Sequence, residues 1–95
     1  MTAYVVAHVQ DVTMSLGFIR YLKRVGTTLA PYDGRFLAQG GPAEELEGRW
    51  PGRTVVIEFP DRESARKWFY SAEYQELAEL RRADSVSDIV AVDGV

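Results

Sequence analysis

The chain has 95 residues, of which 46% are hydrophobic and 26% charged, with a formal net charge of −3, one His and no Cys. That is the composition of a single globular domain spanning residues 1–95, and its scattered basic residues argue against a nucleic-acid partner, which needs a basic stripe. Without Cys there is no disulfide framework or thiol chemistry, and one His cannot assemble a zinc site with Cys or other His ligands.

Ala3 to Gln10, AYVVAHVQ, is rich in β-branched residues and reads as a strand. Ala3, Val5, Ala7 and Val9 lie on one face, and Tyr4, Val6, His8 and Gln10 on the other. Asp11 and Thr13 are turn and N-cap types. A helix is predicted from about Met14 to Ala30, because Phe18, Tyr21, Leu22, Val25 and Leu29 recur at helical spacing. Gly17 and Gly26 weaken it, and Pro31 and Gly34 end it. Gly34 to Gly40, GRFLAQG, reads as a second strand in which Arg35, Leu37 and Gln39 alternate with Phe36 and Ala38. The Gly- and Pro-rich GGPAEELEGRWPG reads as a long loop. Arg53 to Phe59 is a third strand, with Val55, Ile57 and Phe59 on one face and Thr54, Val56 and Glu58 on the other.

Pro60 stops that strand and Asp61 can cap the next helix, with Glu63 in its first turn. Ala65, Trp68 and Phe69 form its apolar stripe. Ser71 is a second capping residue, after which Tyr74, Leu77, Ala78 and Arg81 repeat at three and four, so the second helix reads as broken in two near Ser71. Val86 to Val92 is a fourth strand. The order β-α-β-β-α-β is the ferredoxin-like arrangement of an α+β fold, with a four-stranded antiparallel sheet and both helices on one face.

The face carrying Val5, Ala7, Val9, Phe36, Ala38, Val55, Ile57 and Phe59 is expected to meet the helices. The other, with Tyr4, Val6, His8, Arg35, Leu37, Gln39, Val56 and Glu58, is half apolar, and monomers rarely leave such a patch in water. A domain this small buries only about two-thirds of its unfolded surface, so a two-fold homodimer across this face is expected.

The segments GRFLAQGG, LEGRW, VVIEFPDRESARKWFYSAEYQELAELR and SDIVAVDGV, in this order with the opening strand, resemble the domain of unknown function 1330 family of the dimeric α/β-barrel superfamily. The family often has Pro after the helix-capping Ser; this chain has Ala72, which a first helical position tolerates. The resemblance implies a ferredoxin-like protomer and a homodimer with facing sheets. It implies no activity.

On the outer face, His8 is the one side chain type that ordinarily titrates near neutrality, and as a site residue it would serve as general acid or base; the structural alternative is a hydrogen-bonded His at a subunit contact. Arg35 and Glu58 form either a cross-strand ion pair or an anion clamp with a base. Gln39 completes this polar set. Tyr21, Trp50, Trp68 and Tyr74 are candidates to line a pocket for a flat ligand, although aromatics at helical spacing are more often core, and Trp50, in the Gly-Pro loop, is placed either to close over a site or to clasp the other subunit. Arg81 and Arg82 are accounted for by the dipole at the helix end. Glu58 faces away from the core formed by Val55, Ile57, Phe59, Trp68 and Phe69, so one pocket using the acid and the aromatics together is not expected.

No phosphate loop or dinucleotide fingerprint is present, since Gly40-Gly41 runs into Pro42; no cofactor or metal is expected, and a haem would have only His8 to bind it. Met1 to Gln10 lacks the basic start of a secretory signal, and no apolar run approaches the roughly 20 residues of a membrane span. A cytoplasmic location without a membrane partner is therefore expected. The function is left between a homodimeric binding or structural protein that takes a small organic molecule, a cofactor-free enzyme of monooxygenase or isomerase type acting on a small organic acid or aromatic, and a regulatory interaction module.

Overall fold

A computed structural model of the chain describes residues 1–41 and 43–95. Its elements in chain order are β1 (Ala3–Gln10), α1 (Leu16–Arg24), β2 (Arg35–Gln39), β3 (Arg53–Phe59), α2 (Arg62–Phe69), α3 (Ala72–Ala83) and β4 (Val86–Asp93). The four strands form one antiparallel sheet in the order β2-β3-β1-β4. Among the described residues no helix is long and apolar enough to cross a membrane.

β1 is the clearest case of sequence dictating placement. Its residues alternate strictly between buried and half-buried, as a period-two pleat requires. Ala3, Val5, Ala7 and Val9 face the helices; Ala3 and Val5 lie opposite Phe59 and Ile57 of β3, and Ala7 and Val9 pack with Phe18 of α1. Trp68, Tyr74 and Phe59 are the largest fully buried side chains, and they bring the helices onto this face.

The first helix is shorter than its spacing predicts. Ser15 caps it, accepting a hydrogen bond from the Phe18 amide at 3.1 Å, in place of Thr13. The helix ends at Arg24 and continues as two 3₁₀ turns, Val25–Thr28 and Ala30–Tyr32. Thr27 and Thr28 bond back to the Arg24 and Val25 carbonyls, which competes with the α-helical ladder. Val25 and Leu29 are nevertheless buried, as predicted.

α2 and α3 are separate helices with their own caps, so the described residues form three α-helices. Asp61 Oδ1 accepts from the Ser64 amide at 2.7 Å, and this holds the Asp61 carboxyl below the usual carboxylate range. Ser71 Oγ donates to the Trp68 carbonyl at 2.7 Å and accepts from the Tyr74 amide at 3.2 Å. One hydroxyl thus ends α2 and starts α3. Ser71→Ala is expected to cost about 1 kcal/mol, read as a fall in Tm of roughly 4–8 °C for a domain of this size. A thermal melt that does not move would mean the caps do not fix this corner.

β2 departs from the simple alternation. Arg35 pairs with Glu58 and Phe36 with Ile57, but Ala38 pairs with Val56 and Gln39 with Val55. Leu37 is therefore an extra residue, a bulge on an edge strand. Directly opposed residues of an antiparallel pair share a face, so the bulge reverses everything after it. Ala38 faces outward with Val56, and Gln39 faces the helices with Val55. Between Gln39 and Arg53 the described residues form neither helix nor strand; Pro42 of this loop lies outside them.

Candidate functional site

The two faces of the sheet offer two different environments. On the outer face, Tyr4, Val6, His8 and Gln10 of β1 lie beside Val92, Val90, Asp88 and Val86 of β4. Glu58, Val56 and Thr54 of β3 flank β1 on the other side. The middle of this face is apolar, and Val86 and Val90 are 56% and 55% exposed.

Arg35 and Glu58 meet here as a cross-strand pair, with Arg35 Nε donating to Glu58 Oε1 at 2.8 Å. Arg35 is largely exposed in the single chain, where such a pair contributes only about 0–1 kcal/mol. His8 lies four residues along the sheet, opposite Thr54, whereas Glu58 is opposite Tyr4. At a strand rise of about 3.3 Å per residue that is about 13 Å, too far for His8 and Glu58 to act on one atom.

His8 is instead engaged by the loop before β3. The Trp50 indole stacks on the imidazole at a centroid distance of 4.0 Å and an interplanar angle of 8°. Nε2 of His8 donates to the Pro51 carbonyl, and Trp50 Nε1 donates to Thr54 Oγ1 at 2.5 Å. Gly52 makes this strap possible. It has φ of +89°, and a Cβ there would lie 2.3 Å from the Val9 carbonyl oxygen, so only glycine fits. Trp50 consequently caps His8 on the outer face and does not share a pocket with Tyr21, Trp68 and Tyr74.

The inner face holds a cavity of about 300 Å³ between the sheet and the helices. Its origin is visible in the sequence of β1, whose inner residues Ala7 and Val9 are small while the helices opposite carry large rings. α2 comes closest to the sheet, beside β1 and β4, whereas α1 makes its close approach to α3. The space beneath α1 and α3 is left open. Its buried walls include Val5, Tyr21, Val25, Ile57, Trp68 and Tyr74, and Leu22, Gln39 and Arg53 are its exposed lining residues. Gln39 reaches this rim because of the β2 bulge, and is separated from the set of His8, Arg35 and Glu58 by the thickness of the sheet.

Three polar groups are buried in the wall. The Tyr21 and Tyr74 hydroxyls are hydrogen-bonded to each other at 2.9 Å. Burial pushes the Tyr21 hydroxyl well above the ordinary phenol range, and Tyr74 adds to this while Arg81 opposes it. Arg81 also lines the cavity, is 5% exposed, and its Nε has no hydrogen-bond partner. The dipole of α3 favours both Arg81 and Arg82 in its last turn, but only Arg82 reaches solvent, where it bonds Glu79 and Gln75. The signal for Arg81 was its place in the stripe with Tyr74 and Ala78, the other two buried residues of α3.

Trp68 and Tyr74 are thus core residues and cavity walls at once. The Trp68 ring lies tilted against Tyr74 at a centroid distance of 4.1 Å and against Phe59 at 5.5 Å, and its Nε1 donates to Thr28 Oγ1 at 2.9 Å. Tyr70 of the same aromatic run is exposed. No group of three or more potential metal-ligating side chains occurs among the described residues.

Compared with known families, residues 2–95 match the one described as Domain of unknown function (DUF1330). The chain belongs to that family. The DUF1330 assignment covers every element of the sheet and all three helices. Among curated proteins none matches the sequence. Among solved structures, a protein of unknown function from Rhodopseudomonas palustris is similar with a TM-score of 0.74 at 13% identity, covering 99% of this chain and 82% of its own. SnoaB, a cofactor-independent oxygenase from Streptomyces nogalater, has a TM-score of 0.70 at 16% identity, covering 99% and 93%. A dimeric ferredoxin-like protein of unknown function from Jannaschia sp. CCS1 has a TM-score of 0.67 at 13% identity, covering 99% and 100%. At such identities these likenesses establish the ferredoxin-like fold of this DUF1330 chain and nothing about its chemistry.

Proposed function

We propose that this DUF1330 protein is a homodimer that binds a small, largely apolar organic molecule in the cavity between its sheet and helices. The observation that carries the reading is the cavity itself. Its volume of about 300 Å³ lies at the lower end of ordinary ligand sites. Its walls are aliphatic and aromatic, with a few convergent polar groups, which is the usual make-up of such a site.

The dimer is supported by the outer face, where Val6, Val56, Val90 and Val92 form an apolar strip. Joining two such strips about a two-fold axis removes them from water. The dimeric description of the Jannaschia protein agrees with this arrangement. The outer-face polar residues then belong to the interface. His8 and Glu58 are turned away from the cavity, so a ligand inside it reaches neither, and binding is favoured over proton transfer by these two groups.

A panel of neutral one- and two-ring aromatics, including indole and 2-naphthamide, tests the reading by thermal shift. A ligand at 100 times its Kd stabilises by about 2.7 kcal/mol, which for this size is a Tm rise of roughly 10–20 °C. Ala7→Phe projects a ring from the cavity wall and is expected to abolish the shift while leaving the dimer intact in a native mass spectrum. A panel without any shift, or a shift that survives Ala7→Phe, would refute the cavity as the site.

A further inference from the structure

We propose that the ligand of this cavity carries a single carboxylate on a planar apolar body, and that Arg81 is its counter-ion. The inference rests on the cavity-binding reading above and adds the charge of the ligand.

Arg81 sits in the last turn of α3 with 5% of its surface exposed. A guanidinium does not give up its proton in a protein, so the charge stays. Buried charges are ordinarily paired, yet no carboxylate is within ion-pair distance of Arg81 among the described residues. Its Nε–H is without a partner. The negative end of α3 offsets part of this charge but supplies no acceptor to Nε.

The surroundings favour an anion. The cavity is lined by two arginines, Arg81 and Arg53, and by no Asp or Glu among the described residues. It is a positive site in a chain of net charge −3. Tyr21 and Tyr74 add a donor. Two phenols own two hydroxyl protons, and the bond between them uses one. The second is free to point at an acceptor, and burial of Tyr21 keeps it protonated. The Nε edge of a guanidinium recognises a carboxylate in a planar, two-bond geometry. One buried positive charge within apolar walls of this volume suits a monoanion with a flat body better than a multiply charged phosphate ester.

The test uses a matched pair, 2-naphthoate and its neutral isostere 2-naphthamide, titrated calorimetrically into the intact protein. A charge-assisted contact predicts that wild type binds the naphthoate about 10–100-fold more tightly. Arg81→Met is expected to bring the two affinities within about twofold and to keep the amide affinity. It is also expected to melt no lower than wild type, because replacing an unpaired buried charge with an apolar side chain is neutral or stabilising. Equal affinities in wild type, with both compounds bound, would overturn the anion assignment while the cavity reading stands. Binding of neither compound would remove both. Retained preference for naphthoate in Arg81→Met would move the counter-ion to another residue, with Arg53 at the rim the one to substitute next, and would overturn the role given to Arg81.

Discussion

Val56→Asp is expected to convert the proposed dimer into monomers without unfolding the chain. Val56 stands in the middle of the outer face, between Val6 of β1 and Ala38 of β2. In an isolated protomer this face meets water, so a carboxylate there stays hydrated and the sheet keeps its backbone bonds. In a facing-sheet dimer the same carboxylate is desolvated, at an effective cost of several kcal/mol per ion. A two-fold interface carries the substitution twice. The dissociation constant should rise by at least about 1,000-fold, since each 1.4 kcal/mol is a factor of ten. Sedimentation over a concentration series measures this, with circular dichroism as the check on folding. Leu16→Asp is the control, because Leu16 is exposed on α1 at the opposite side of the molecule and its substitution should leave the dimer unchanged. A Val56→Asp protein that remains dimeric at low concentration, or a Leu16→Asp protein that dissociates, would place the interface elsewhere and return the outer face to solvent.

That interface also gives the polar residues of the outer face their context. An exposed Arg35–Glu58 pair contributes little by itself. Covered by a second sheet, the two charges would already be matched at 2.8 Å, so their burial leaves no lone ion behind. The Trp50–His8 stack works in the same direction. It places a flat apolar surface over the one imidazole and anchors the loop through Thr54 and Pro51. The loop before β3 is therefore part of the face that a partner would meet, and not a lid on the cavity.

The residues that sequence placed well are those whose position depends on near neighbours in the chain. β1 follows from alternation alone, β3 keeps its predicted limits, and Asp61 and Ser71 cap the helices through bonds three residues away. The residues it misplaced depend on distant partners. Alternation carried through β2 puts Gln39 outward, but its register with β3 contains an extra residue at Leu37, and only the pairing reveals it. The first helix is cut at Arg24 because Thr27 and Thr28 compete for its carbonyls, a preference that the apolar spacing outvoted. Trp50 stands in a loop, which carries no face in sequence, so the sequence leaves it open between a pocket and a subunit contact; its stacking on the distant His8 puts it on the outer face. Arg81 shows the limit most clearly. A basic residue in a last helical turn has a ready explanation in the dipole. Only the packing of α3 against Tyr21 shows that this one points inward.

Trp68→Ala is expected to be the most destabilising of the core truncations. Trp68 is 2% exposed and touches Phe59, Phe69 and Tyr74, so it joins α2 to both β3 and α3. Removing such a ring typically costs about 3–5 kcal/mol, because the walls do not close over the space. A domain of this length is stable by only about 5–14 kcal/mol at the usual value per residue. A loss of that size lowers Tm by at least about 12 °C. Trp68→Phe separates packing from hydrogen bonding. It keeps a ring in the cluster but removes the Nε1–H that Thr28 Oγ1 accepts. Thr28 still donates to the Val25 carbonyl at 2.6 Å, so one acceptor lone pair is lost and no donor is stranded. The phenylalanine variant should lose only about 1–2 kcal/mol, measured by denaturant unfolding alongside the alanine variant. Two equal losses would mean that the indole bond to Thr28 fixes this corner and the ring contacts do not. Because Trp68 also walls the cavity, the two variants report on the site as well. The phenylalanine variant should retain affinity for the two-ring probes, and the alanine variant, with a wider and more deformable cavity, should bind them more weakly even at temperatures where it is still folded.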